Sequence, residues 1–261
     1  MKLTYELLQI PYLLLLALLV VVFSALSMLI TWLIKRHAAI TARRAHNEVV
    51  GYIFATVGGL YGLLLGFVVF LVWGAYNTSQ SDANREGSLA RGLYRDIHYF
   101  PDSARIAPLR DAYLRYVSHV VSDEYPKMQR MEPMTADDRR AFNQVFRQLE
   151  KMDSNDTRLE QMFHHLNELS TARSLRLLDG SSAIPTAIWI PLLLGALIVL
   201  LLASVLDIES RRLHILINGL LGSFVGLMFY LIIMLDHPFT GHMRVTPDEY
   251  QRILMMASED E

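Results

Sequence analysis

The chain reads as an all-α polytopic membrane protein, with four transmembrane helices in two hairpins and a helical polar domain inserted between the second and third spans. Three observations predict this. Four apolar runs, 12–34, 49–73, 184–206 and 213–235, each hold at least 23 residues without an Asp, Glu, Lys or Arg, enough for a helix to cross a hydrocarbon core of roughly 30 Å. The 110 residues from 74 to 183 carry 15 Lys or Arg against 16 Asp or Glu, so that segment is solvated and electrically balanced. Its apolar residues recur at helical intervals, and no stretch keeps the alternation of a strand.

The first run contains fifteen Leu, Ile, Val or Phe, each worth about −0.3 to −0.6 kcal/mol near mid-bilayer. It is longer than the apolar region of a secretory signal, is led by Lys2 and is followed at once by basic residues, so it is expected to stay as the first span. The second run follows the loop 35–48, and the third and fourth are joined by the short loop 207–212. In the polar domain four stripes mark helices. They are Leu89, Leu93 and Ile97; Leu109, Tyr113, Tyr116, Val117 and Val120; Phe142, Val145 and Leu149; and Leu159, Met162, Phe163, Leu166 and Leu169. Pro101 and Pro126 separate helices, Thr135 with Asp138 resembles a capping pair, and Asp156 or Thr157 can cap the last helix. The first polar helix can simply continue span two. The expected domains are 1–74 and 184–236 for the two hairpins, 75–183 for the polar helices and 237–261 for a polar tail.

Several function classes fall away. A net charge of −2 with interspersed acids and bases gives no nucleic-acid signature. With no cysteine there is no disulfide, thiolate metal site or Cys nucleophile. No nucleophile elbow, phosphate loop or zinc-protease signature is present, so the chain is not expected to be an enzyme or to hold a cofactor. Glu160, His164 and Glu168 share a helix face, but without a second ligand set they read as a solvated face and not as a metal site. No carboxylate, Lys or Arg lies at mid-membrane, which argues against a proton-coupled carrier.

Orientation follows from loop charge. Lys35, Arg36, Arg43 and Arg44 in the first loop and Arg211 and Arg212 in the second face the cytoplasm by the positive-inside tendency, which puts the helical domain outside. Arg85, Arg91, Arg173 and Arg176, near the membrane ends of the polar domain, weigh against this.

Span two carries Gly58, Gly62 and Gly66 at four-residue spacing, and span four carries Asn218, Gly222 and Gly226 at the same spacing. Such small-residue faces let helix backbones approach closely. The ordinary reading is packing inside one subunit; the sharper one is packing between subunits or lining a pore. Phe67 and Phe70, with Trp73, could then form an apolar constriction that gates by dewetting. At the helix ends, Asn47 and Glu48 open span two, while Asp236 and Pro238 close span four. These are either surface anchors or structural fixtures. As fixtures, Glu48 would pair with an Arg of either loop, and Asp236 would cap N–H groups of the Pro-Phe turn.

The run Asn47-Glu48-Val49-Val50-Gly51-Tyr52-Ile53-Phe54, the Arg85-Glu86 and Glu124-Tyr125-Pro126 elements, and Leu235-Asp236-His237-Pro238-Phe239-Thr240-Gly241 together resemble the bestrophin-like family of bacterial membrane proteins. The resemblance implies four spans per subunit, a helical domain between spans two and three, a homo-oligomer (a pentamer by analogy) and an anion-permeable pore lined by span two. It also implies a cytosolic helical domain, opposite to the charge rule. The expected partners are the lipid bilayer of the bacterial inner membrane, further copies of the chain and small inorganic ions. The alternative is a non-conducting membrane protein whose polar domain binds a partner or ligand.

Overall fold

The computed structural model describes residues 2–36, 44–152, 156–181 and 183–259. They are 86% helical, with no strand among the described residues. The order is α1 (Lys2–Gln9), α2 (Tyr12–Arg36), α3 (Arg44–His98), α4 (Ser103–His119), a π-helical turn (Val120–Glu124), α5 (Tyr125–Gln129), α6 (Ala136–Glu150), α7 (Thr157–Ser181), α8 (Thr186–Val205), α9 (Arg211–Leu235) and α10 (Asp248–Glu259). Four of these, α2, α3, α8 and α9, are long and apolar enough to cross a membrane. The helix of span two does continue past the apolar run, to His98. The chain divides into a unit of Lys2–Ala75 with Ala183–Asp236 and a unit of Tyr76–Ser182 with His237–Glu261.

The first unit holds the apolar spans. Between lipid-exposed helices the hydrophobic effect contributes little, so small residues and internal hydrogen bonds must hold them together. Both are present between α2 and α9. A Cβ added at Gly222 would fall against the Phe23 carbonyl oxygen, and one at Gly226 would sit 2.7 Å from the Leu19 oxygen. Backbone meets backbone there, and no flexible side chain can yield. Beside this seam lies a buried polar cluster. Asn218 donates from Nδ2 to the Thr31 hydroxyl at 2.7 Å, Thr31 and Ser204 share a 2.9 Å bond, and Ser27 donates to the Asn218 carbonyl at 2.6 Å. Each such bond in a membrane bundle contributes about 0.6–1.7 kcal/mol. The cluster joins α2, α8 and α9. The apolar stretch of α3 joins them through Tyr61, whose hydroxyl donates to the Leu192 carbonyl at 3.0 Å, while its ring lies 2.6 Å from where a Cβ on Gly195 would stand.

The second unit is a conventional apolar core. The four sequence stripes supply it, with Leu93, Ile97, Leu109, Tyr113, Tyr116, Val117, Val145, Leu149, Leu159, Leu166 and Leu169 all buried. Asp102 caps α4 through the Arg105 N–H, and Asp156 takes the Arg158 N–H at 3.0 Å. The Thr135–Asp138 pair forms a capping box on α6. Burial raises the Asp138 pKa, but the Lys127 ammonium, the Thr135 N–H and hydroxyl and the His119 ring outweigh it and hold this carboxyl well below the usual range.

The same core encloses charge. Arg176, Glu86 and Glu124 are fully buried and Arg173 nearly so. Arg176 forks onto Glu86 and donates to Glu124 at 2.6 Å, and Arg173 donates to Glu124 at 2.5 Å. Tyr250 of α10 closes the group, donating to Glu86 at 2.7 Å. Residues 237–259, read from sequence as part of a polar tail, contribute to this core. Tyr250 and Ile253 are buried in this core, and α10 belongs to the polar unit. An amphipathic twelve-residue helix was easy to miss because its inward residues are only two strong apolar positions one turn apart.

The glycines give a direct test. Gly222→Leu should lower the thermal stability of the detergent-solubilised protein by the equivalent of about 1–3 kcal/mol, since it overpacks a rigid contact. Gly62→Leu, with nothing within 4 Å of its added Cβ, should leave the subunit's melting temperature where it is. A melting curve for Gly222→Leu that superimposes on wild type would show that the α2–α9 seam is not tight.

Candidate functional site

One helix carries most of the residues singled out by the sequence. Along α3 in the membrane unit, Tyr61, Leu65, Val68 and Val72 are buried. They recur every three or four residues and pack with Leu192, Ala196, Val199, Val225 and Phe229 of α8 and α9. The opposite side is left open. Phe67 is 59% exposed and Phe70 70% exposed, and Trp73 is exposed as well. Gly59, Gly62 and Gly66 have no atom within 4 Å of an added Cβ, and Gly58 meets only the Phe54 ring at 4.0 Å.

The two glycine faces that looked alike in sequence are therefore used differently. Gly222 and Gly226, with Asn218, are consumed by packing between α9 and α2. A Cβ added at Gly62 or Gly66 would meet no atom within 4 Å, and one at Gly58 only the Phe54 ring. Gly58 and Gly62 instead line an apolar groove of about 240 Å³ with Phe54, Leu65, Leu221 and Phe224. Such a groove accepts an apolar chain or side chain and has no means of chemistry.

In the polar unit the continuation of α3 changes character. Across 76–87 its exposed side chains are Asn77, Thr78, Ser81, Asn84 and Arg85, uncharged or cationic, while Ser79, Ala83 and Glu86 are buried. The exposed side is apolar where the helix lies in the spans and polar beyond them.

At the helix ends the hydrogen bonds run to residues distant in sequence for Asn47 and Asp236 but not for Glu48. Asn47 brackets the second loop, donating to the Asp207 carbonyl at 3.2 Å and accepting the Asp207 N–H at 2.8 Å. Lys35 meets the same loop at the Leu206 carbonyl, 3.0 Å away. Glu48 is exposed and accepts a 3.5 Å contact from Tyr52; Arg43, one of its anticipated partners, lies outside the described residues. The Asp236 Oδ1 accepts the Ile184 N–H at 2.7 Å, so it holds the entry to span three. After Pro238 the turn closes on itself through Val245 N–H to the Pro238 carbonyl, 2.8 Å. Sequence reasoning passed over His214, fully buried in α9 with Nε2 2.9 Å from the Ala203 carbonyl. A histidine without a patterned neighbour leaves no sequence signal. Glu160, His164 and Glu168 assemble no metal-binding group among the described residues.

The fold and this face together define a four-span, all-helical membrane protein. A Bestrophin-like domain matches residues 21–250, and the chain belongs to that family. Solved structures agree in fold. A bacterial bestrophin homologue from Klebsiella pneumoniae is 16% identical with a TM-score of 0.61, over 94% of this chain and 98% of that one. A point variant of the Klebsiella pneumoniae homologue reaches 17% identity and TM-score 0.61, over 95% and 100%. A crystal structure of a membrane protein variant gives 15% and 0.63, over 91% and 98%. No curated protein matches the chain.

The Asp236 bond sets a graded expectation. Asp236→Ala should lower stability by about 1–3 kcal/mol through loss of the charged acceptor, while Asp236→Asn, which keeps an oxygen, should lose less. Glu150→Gln, on an exposed position, should change nothing. Equal thermal unfolding for all three would make Asp236 a solvated end residue.

Proposed function

We propose that this chain is a subunit of a homo-oligomeric ion channel of the bacterial inner membrane, pentameric by family analogy, with α3 lining an anion-permeable pore. The observation that carries this reading is the open side of α3, where Gly62 and Gly66 have nothing within 4 Å of an added Cβ and Phe67 and Phe70 stand exposed. A helix in the spans that leaves glycines bare and phenylalanines exposed has its remaining surface for other copies or for an axis, and closed cyclic assembly supplies both. Phe67 and Phe70 would form the apolar constriction, and Gly58, Gly62 and Gly66 would give width. The exposed Asn77, Ser81, Asn84 and Arg85 would then offer hydrogen bonds and one cation, with no exposed carboxylate among residues 76–87; that favours anions.

Purified protein in liposomes tests this directly. Wild type should carry a current that reverses toward the chloride potential in a salt gradient. Gly62→Leu should change conductance by about twofold or more without loss of thermal stability, and Arg85→Glu should move the reversal potential toward that of the cation. Absence of current above empty liposomes would abandon conduction in favour of a non-conducting protein whose polar unit binds a partner.

The helical polar unit is placed outside the cytoplasm in this reading, as the loop charges ask. Two of the four cations that weigh against this, Arg173 and Arg176, are neutralised inside the core by Glu124 and Glu86. They are not free juxtamembrane charge. Because the chain has no cysteine, single Cys residues at the exposed positions Glu150 and Glu209 can be labelled in intact cells with an impermeant maleimide. Position 150 should label and position 209 should be protected; the reverse pattern would turn the protein over.

A further inference from the structure

In the polar unit, the last turns of α3 and the end of α10 border an open cavity of about 500 Å³, lined by Ser88, Arg91, Gly92, Arg95, His98 and Tyr99, with Tyr94, Met256 and Glu259 completing the wall. That volume suits a small organic ligand. Three features give it a chemistry.

The first is cationic. Arg91 and Arg95 are four residues apart, so their side chains rise from one helix face about 5–6 Å apart at Cβ. Arg91 is partly committed, 3.0 Å from Glu249, a carboxylate that Arg252 also holds at 2.8 Å. Arg95 is not. It is 68% exposed, and its ion-pair partner, Asp96, is 3.9 Å away and already bound to His165 at 2.5 Å. A guanidinium with its fork unused suits a planar or tetrahedral oxyanion, and the Ser88 hydroxyl, one turn before Arg91 and two before Arg95, lines the same cavity as a further donor. Glu259 stands exposed at the rim and does not cancel both cations.

The second is aromatic. His98 and Tyr99 meet edge-on with centroids 4.8 Å apart, and Tyr94 lies 5.8 Å from His98. Tyr99 is 76% exposed, a face on which a ring can stack, and Met256 adds a soft apolar contact.

The third is an unexplained glycine. In this part of α3, Gly87 is required by close packing, because a Cβ there would collide with Glu249 of α10. Gly92 has no such reason, since nothing lies within 4 Å of its would-be Cβ. A glycine in a helix interior costs about 1 kcal/mol relative to alanine, and what Gly92 preserves is the open floor of the cavity between Arg91 and Arg95.

We propose that this cavity binds a small phosphate monoester carrying an aromatic or heterocyclic ring, with its phosphate on Arg95, Arg91 and Ser88 and its ring against Tyr99 and His98. The site is independent of the conduction reading, because it is tested by binding and not by flux. Phenyl phosphate and inorganic phosphate serve as probes, titrated calorimetrically into the full chain in detergent. Wild type should bind phenyl phosphate saturably and at least about tenfold more tightly than inorganic phosphate, the difference being the ring contact. Arg95→Gln should weaken phenyl phosphate at least about tenfold, and Gly92→Leu should abolish it by filling the floor. Arg140→Gln, an exposed arginine on α6, should bind as wild type. Gly92→Leu removes a poor helix former and adds a side chain into open space, so its fold is expected to survive; a melting curve checks this, and Arg95→Gln stands alone if it does not. Equal affinity for the two probes, no saturation at millimolar phenyl phosphate, or unaltered binding by Arg95→Gln would each overturn the proposal.

Discussion

The polar unit is organised around a charge that has no water. Arg176 is fully buried, and removing a guanidinium from solvent costs several kcal/mol unless its donors find partners. Each of its three nitrogens donates, four of the five N–H groups in all: two to Glu86, one to Glu124 and one to the Met128 sulfur at 3.0 Å, with the Tyr125 ring beneath at 4.8 Å. Arg173 balances the second glutamate, so two cations face two anions and the enclosed charge is zero. Removing one partner from such a set leaves an uncompensated buried charge, a loss of about 3–5 kcal/mol. The group spans α3, the π-helical turn, α7 and, through Tyr250, α10. The π-helical turn has a use here: its wider winding brings Glu124 inward at the end of α4, where both arginines reach it.

That network also fixes the rotation of α3. Glu86 must point inward, so the residues half a turn away must point out. Arg85 is exposed beside it, as are Asn84 and Ser81. In the membrane unit Tyr61, Leu65, Val68 and Val72 set the inward direction by apolar packing instead. Two forces of different kind choose one buried side on each stretch of the helix, and the exposed side is what is left.

The spans, the four polar stripes, the Thr135–Asp138 box and the Asp156 cap were legible because each is a local signal, written in apolar period or in short-range hydrogen bonding. Arg173 and Arg176 were not. In sequence they read as juxtamembrane surface charge, since nothing within one turn of either announces Glu86 or Glu124, ninety and fifty-two residues from Arg176. The same limit governs the glycines: the four-residue spacing on α3 and on α9 is identical, and only the identity of what lies opposite separates them. A Cβ on Gly222 would meet the backbone of α2; one on Gly62 would meet no atom within 4 Å. Of the partners of Asn218, Ser204 lies 14 residues away on the preceding helix, but Thr31 is 187 residues away and leaves no local signal. Asp236 stands out in sequence as a residue at a helix end, but the Ile184 N–H that it takes is 52 residues upstream and leaves no local signal.

A glycine inside a helix is informative when its neighbours fail to explain it. Backbone contact accounts for Gly222 and Gly226, a ring for Gly195 and the foot of α10 for Gly87. Gly62, Gly66 and Gly92 have no such contact, yet each costs its helix about 1 kcal/mol against alanine. All three lie on α3, away from its buried side. A bare position on an otherwise well-formed helix keeps space for something outside the chain's own side chains: in the spans, another helix or a path for ions; in the polar unit, beside two arginines and two aromatic rings, a ligand. The chemistry of the surroundings distinguishes the two. Around Gly62 every neighbour is apolar, so what approaches there is hydrocarbon or an ion passing without coordination. Around Gly92 the neighbours carry charge and hydrogen-bond donors, so what approaches there is held.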